Sequence, residues 1–230
     1  MLAILCFTIL SSSTVAHDAS SIVARYRKAI GNAAKLEQLR SLSIEGLVTS
    51  SDGSWQRNYR AWCMGDNVRT EIVIQPGIIA TSWTNGLQGW TIQPWSSSLD
   101  PQPMNEAMVF RLRCFSQILV NDLLKNPNKL QFDGTDEING SECLKLQCRH
   151  SDGSLWTYYI DPDAFLPVKL SVEATISGEP LEWEMSYSNY RTVDGVLLPT
   201  ALTSSGSTII VKRYALDPLL EQSLFAPPAK

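Results

Sequence analysis

LPVKLSVEATISGEPLEWEMSYS, residues 166–188, contains two alternating runs. In the first, Leu166, Val168, Leu170, Val172, Ala174 and Ile176 alternate with Lys169, Ser171, Glu173 and Thr175. In the second, Leu181, Trp183, Met185 and Tyr187 alternate with Glu182, Glu184, Ser186 and Ser188. A period of two puts all the apolar side chains on one face of a strand and the polar ones on the other. Strands of that kind belong to an antiparallel sheet with one face on a core and one in water.

The same period recurs on both sides of this stretch. Leu42, Ile44, Gly46 and Val48 form one such row, and Trp55, Tyr59, Ala61 and Cys63 form another, with Arg57 as the exception. Val68, Thr70, Ile72 and Ile74 share a face, opposite Arg69 and Glu71. Asn85-Gly86, between strands expected over 78–84 and 87–93, is a strong hairpin signal. Asn139-Gly140 separates 130–138 from 141–150, Asp152-Gly153 precedes 154–161, and Asp194-Gly195 leads into 196–203, followed by 207–214. Two segments break the pattern. Residues 18–39 read as helix, with Asp18 or Ser20 as cap and a break at Gly31. Met108, Leu112, Phe115, Leu119 and Leu123 step by three or four along one long helix, capped by Asn105 and ended by Pro127. The expected fold is mainly β with helices (α+β): a meander of about ten antiparallel strands with helices on its concave face.

SDGS occurs twice, at 51–54 and 151–154, each time between strands. Asp and Gly supply positive-φ positions and Ser bonds locally. The tryptophan that follows is shifted by one residue between the copies, Trp55 against Trp156, so the two stretches share turn chemistry rather than a duplicated site.

Composition narrows the function. The 230 residues are 44% hydrophobic with a net charge of −4, and no Lys/Arg run has the density of a nucleic-acid face. The first residues, MLAILCFTILSSSTVA, have the apolar run and small residues of an export signal, with cleavage expected after Ala16; 17–230 then forms a single domain. Cys63, Cys114, Cys143 and Cys148 remain, either as bridges or as buried thiols. Cys143 and Cys148 fall on opposite faces of one strand, roughly 16 Å apart, and cannot pair with each other. Cys148 and His150 share a face and offer two zinc ligands where a closed site needs four, so no metal is expected. No nucleophile elbow, zincin or P-loop motif occurs, and neither a catalytic residue nor a cofactor is expected. The surplus is apolar: 7 Trp, 7 Tyr and 6 Phe suit a pocket for an apolar ligand as well as an ordinary core.

MGDNVRTEIVIQPGIIATSWTNGLQGWTIQPWSSSLDPQPM, residues 64–104, resembles the middle of the periplasmic lipoprotein carrier family LolA and its relatives among the outer-membrane lipoprotein-sorting proteins. ARYRKAIGNAAKLEQLRSLSIEG (24–46), DGSLWTYYIDPDAFLPVKL (152–170), YRTVDGVLLP (190–199) and DPLLEQSLFAPP (217–228) are similar to them too. The resemblance implies an incomplete antiparallel β-barrel wrapped over a helical lid, with an apolar cavity that shields acyl chains between membranes. Those carriers place a lid-closing arginine just before the turn into the strand; here that place reads Met64-Gly65, and Arg69, on the strand, does not match it.

On this basis the expected function is a periplasmic carrier moving the acyl chains of lipoproteins or other lipids toward the outer membrane. It would be a monomer served by an inner- or outer-membrane delivery partner. The candidate cavity face is Val68, Ile72, Ile74, Trp90, Ile92, Val168, Leu170, Val172, Trp183, Met185 and Tyr187, with Met108, Leu112, Phe115 and Leu119 as lid. Trp83 and Trp90 flank the Asn-Gly turn, and the sequence leaves open which faces inward. An envelope-stress sensor of the same fold is the first alternative, and a hydrolase using the cavity the second.

Overall fold

A computed structural model describes residues 18–119 and 121–228. The expected leader, 1–16, lies outside the described residues. None of the described helices is long and apolar enough to cross a membrane.

The chain builds one antiparallel sheet from two meanders. The first contains β1 (Ser41–Ser50), β2 (Gln56–Met64), β3 (Asn67–Gln75), β4 (Ile78–Asn85), β5 (Gly89–Ile92) and β6 (Gln102–Pro103). The second contains β7 (Gln131–Ile138), β8 (Ser141–Arg149), β9 (Leu155–Ile160), β10 (Pro167–Ile176), β11 (Glu179–Val193), β12 (Val196–Ser204) and β13 (Ser207–Leu216). They join through β1 and β13, giving the order β6-β5-β4-β3-β2-β1-β13-β12-β11-β10-β9-β8-β7. The ends, β6 and β7, do not pair, so this is an incomplete barrel. Thirteen strands form where about ten were expected: twelve fall on the segments read from the sequence, and β6, two residues long, carries no period to detect.

The turn chemistry follows the sequence. Asn139-Gly140 and Asp194-Gly195 both have positive φ, as a type I′ hairpin requires. At Asn85-Gly86 the loop is wider: Asn85 N–H donates to the Gln88 carbonyl, and the Asn85 side chain accepts from the N–H groups of Leu87 and Gln88. Both SDGS segments close alike, with Asp52 and Asp152 each accepting from the N–H and hydroxyl two residues on or from a neighbouring serine. Beyond the turn they diverge as expected, since Trp156 is buried and Trp55 is exposed.

α1 (Ala19–Ala29) starts at Asp18, whose carboxylate accepts from Ser21 N–H, and ends before Gly31. Gly31 has φ +84° and bridges to Val196, and α2 (Ala33–Glu37) follows. The long helix expected from 105 to 126 is two helices. α3 (Glu106–Ser116), capped by Asn105, stops early; Asn121 then caps α4 (Asp122–Lys125), and Pro127 opens a 3₁₀ turn rather than closing the helix. Leu119 and Leu123 keep the helical spacing and are buried, but Leu119 sits in the irregular link. An Asn-Asp pair favours a cap over a helix interior, because the side chain competes for the backbone donors.

α3 packs against β3, β4, β10 and β11, which are far apart in the strand order, so the sheet curls around it. α1, α2 and α4 pack together over the other part of the concave face. One contiguous core results, running from Ile22 and Tyr26 on α1 through Ile44, Ala61 and Val68 to Leu146, Leu170 and Leu202.

Candidate functional site

The site lies under one edge of α3. Met104, Met108, Arg111, Leu112 and Phe115 from the helix and its approach face Thr70, Ser82, Trp183, Met185 and Ser204 from the sheet, around a pocket of about 300 Å³ that opens to solvent. Even-numbered residues of β3 and β4 and odd-numbered residues of β11 point to the helices, as the registers Thr70↔Ser82 and Val172↔Trp183 require. The hydroxyls are already engaged within the sheet: Thr70 donates to the Ser82 carbonyl, Ser82 shares a hydrogen bond with Thr91, and Ser204 donates to the Glu184 carbonyl. What remains open to a guest is therefore chiefly thioether, aliphatic and aromatic surface, with the Arg111 guanidinium at the rim.

α3 is placed by its N-terminal turn. Met104 and Val109 are the residues before the cap and at the fourth helical position, the two places of a hydrophobic staple. Both sit over Gly89: a Cβ there would meet Val109 Cγ2 at 2.9 Å and Met104 Sδ at 3.0 Å. The helix is tied to the sheet at its two ends by surface contacts. Ser177 in the β10–β11 turn donates to Glu106, and Arg113 pairs with Asp66 of the β2–β3 turn at 3.3 Å. Phe115 packs edge-to-face on Tyr59, 6.5 Å between centroids.

Of the residues singled out in the sequence, Met108, Leu112, Phe115, Trp183 and Met185 meet around this pocket. Val68, Leu170 and Val172 lie deeper, fully buried in the core, with Ile72 packed on its edge. Leu119 and Tyr187 line a separate void of about 20 Å³ beside α1 and α2, too tight for more than a water. Trp90, Ile92 and Ile74 lie elsewhere, and Val168 is half-buried at a break in register. Trp90 and Ile92 point to the convex face, because Trp90 pairs with Trp83 and Ile92 with Thr81, and both partners lie on the Arg69 side of the sheet. Ile74 and Val168 fall in register breaks, between Val73 and Gln75 and between Pro167 and Lys169. Ile74 lines an open groove with Leu47, Arg57 and Val73 instead.

Trp83 and Trp90 thus both face outward. They are 6.0 Å apart, and Trp83 is covered by the C-terminal segment: its indole N–H donates to the Ala226 carbonyl, and Phe225 is buried. Arg69 lies over the Trp83 ring, pairs with Glu71 and donates to the Leu224 carbonyl. These contacts hold the C-terminal segment on the convex face. Met104 and Arg111 are pocket residues missed in the sequence. Met104, directly before the cap, carried the staple signal that could have found it.

A second polar cluster is buried behind α4. Asp122 accepts from the Tyr158 hydroxyl at 2.9 Å and from Asn126 at 2.7 Å, and its Oδ2 is 2.8 Å from His150 Nε2. Cys148 lies beside them. All four cysteines among the described residues are free, buried thiols. Burial pushes Cys63 up to about 12 and Cys148 up to about 11, and it raises Cys114 and Cys143 as well, so none is an activated nucleophile.

Two solved structures share this fold. A LolA superfamily protein from Nitrosomonas europaea matches with a TM-score of 0.53 at 17% identity, over 92% of this chain and 99% of that one. A DUF1329 family protein from Desulfovibrio piger matches with a TM-score of 0.52 at 13% identity, over 90% of this chain and 95% of that one. The Pseudomonas aeruginosa MucA/MucB complex aligns with 91% of this chain at a TM-score of 0.29, too loosely to carry an argument. No family model and no curated protein matches the sequence. The fold is LolA-like: an open antiparallel sheet curled over a helical cover.

Proposed function

We propose that this protein is a periplasmic carrier that takes one acyl chain of a lipoprotein or lipid beneath α3 and moves it toward the outer membrane. The observation that carries the reading is the apolar pocket bounded by Met104, Met108, Leu112, Phe115, Trp183 and Met185. Its volume of about 300 Å³ stands at the lower limit of ordinary ligand pockets, which suits one chain and not several. Each buried methylene contributes about 0.8 kcal/mol, so covering even part of a chain keeps an acylated molecule in solution.

Beneath α3 the sheet residues Val68, Leu170 and Val172 are fully buried, which we take as the closed form. α3 rests on β3, β4, β10 and β11, so moving it outward would uncover Val68, Ile72, Leu170 and Val172 and extend the cavity along the sheet. The end contacts of α3 are surface pairs, worth at most about 1 kcal/mol each, and do little to oppose that movement. A chain that replaces the helix's apolar contacts shifts the population toward the open form by its differential affinity for it. Arg111, which makes no ion pair among the described residues, suits an anionic headgroup at the rim.

Titration with a fluorescent fatty acid tests this. Binding is expected in the wild type and at least tenfold weaker in Leu112→Asp, which puts a charge at the pocket mouth while leaving the sheet's circular dichroism intact. Equal affinity in the two proteins would remove α3 from the binding site.

A further inference from the structure

Away from the acyl pocket, Asp122, Cys148 and His150 present an oxygen, a sulfur and a nitrogen whose ligand atoms all lie within 4.8 Å of one another. We propose that these three side chains form a binding site for a divalent transition metal of zinc's class, with a fourth position left for water or an external ligand.

The donor set is the first argument. Thiolate, imidazole and carboxylate are the ordinary protein ligands of zinc, and three of them with one open position is a known coordination pattern. Bonds of about 2.0–2.3 Å in a tetrahedron put ligand atoms roughly 3.3–3.8 Å apart, a spacing that lies between the cluster's 2.8 Å His150–Asp122 contact, which must open, and its 4.8 Å outer limit, from which the widest pair must draw in. Local structure explains the convergence. Cys148 and His150 are two residues apart at the end of β8 and so share a face, while Asp122 enters from the first turn of α4.

The surroundings are the second argument. Ligands of real sites are oriented by a further layer of contacts. Here the Trp156 ring stacks on His150 at 4.9 Å and 11°, fixing the imidazole plane. Tyr158 and Asn126 each donate to the Asp122 carboxylate, one to each oxygen, and leave lone pairs free on both. Cys148 and Asp122 are 1% exposed, whereas the His150 side chain is 22% exposed and offers the path inward. Cys148 sits at the border of the core with its thiol against Asp122, so all three donors meet at one point.

Cobalt(II) is the probe, because a tetrahedral cobalt–thiolate centre gives both visible bands and a near-ultraviolet sulfur-to-metal band. Chelator-treated wild-type protein is expected to bind one cobalt with both signatures, and zinc is expected to displace it. At a hundredfold excess over Kd, zinc should raise the melting temperature by about 5–10 °C. Cys148→Ser should abolish the sulfur band, and His150→Gln should weaken binding at least tenfold; circular dichroism checks that both fold. Tyr158→Phe should weaken it about 10- to 100-fold while keeping the band. Absence of any bound cobalt in the wild type overturns the proposal, and so does a sulfur band that survives in folded Cys148→Ser.

Discussion

Gly46 and Gly89 are glycines for reasons of space. A Cβ on Gly46 would lie 2.2 Å from the Ile210 carbonyl oxygen, at the bulge where β1 meets β13. That pairing is the seam between the two meanders. Gly46→Ala is therefore expected to cost about 2–4 kcal/mol by urea denaturation. Gly89→Ala, which meets only the side chains of Val109 on α3 and Met104 before its cap closer than 3.2 Å, should cost about 1–2 kcal/mol and push the helix outward. If Gly46→Ala is the milder of the two, the seam has more slack than its geometry implies. The buried thiols give a second residue-scale prediction. With Cys63 at about 12 and Cys148 at about 11, the thiolate fraction at pH 8 is about one in a thousand or less, so Cys63, Cys114, Cys143 and Cys148 should resist iodoacetamide in the native protein and take up label in the unfolded one. Folded values above the unfolded ones mean that this stabilisation is complete below about pH 9 and declines as pH rises toward 11–12. The buried Tyr26, Tyr187 and Tyr214, also raised by desolvation, act in the same direction. Rapid labelling of native Cys63 at pH 8 would contradict the burial.

At the scale of the element, strands were legible in the sequence and their facing was legible where both neighbours were regular. β10 and β11 alternate cleanly, so Leu170, Val172, Trp183 and Met185 all turned inward with the pattern. β5 did not follow apolarity. The pairing Trp83↔Trp90 sets even residues of β4 opposite odd residues of β5, which sends Gly89 and Thr91 in and Trp90 and Ile92 out. The tryptophans could afford that face because Phe225 and Ala226 return from the chain's other end, a contact no local period encodes. Helix continuity failed after Ser116 for a local reason. The apolar spacing persists through Leu119 and Leu123, but the Asn121 cap begins a new helix. The ends of α3 can be tested directly. Asp66→Ala removes the partner of Arg113, and the pair is solvent-exposed, so stability should change by less than about 1 kcal/mol. Fatty-acid affinity should rise, because the closed form loses a contact that the open form lacks. Unchanged affinity would show that this contact does not bias the lid.

For the molecule as a whole, the sheet cannot close. β6 and β7 stand unpaired at its two ends, and helices occupy the concavity. α1, α2 and α4 plug one part of it, and α3, broken from α4, covers the rest. The sequence revealed the curled sheet and its apolar lining, but not how much of that lining the helices would occupy. Val68, Leu170 and Val172 are core in this form, and the chiefly apolar pocket lies at the α3 edge. In the proposed carrier, the break between α3 and α4 would let α3 move while α4 stays anchored by the Asp122–Tyr158 hydrogen bond. Native mass spectrometry of protein produced in a membrane-bearing host measures the central claim most directly. The account predicts a bound population heavier by a single acyl-chain amphiphile, lost in Leu112→Asp. A mass matching the bare chain alone, together with no binding of added fatty acid, would contradict it.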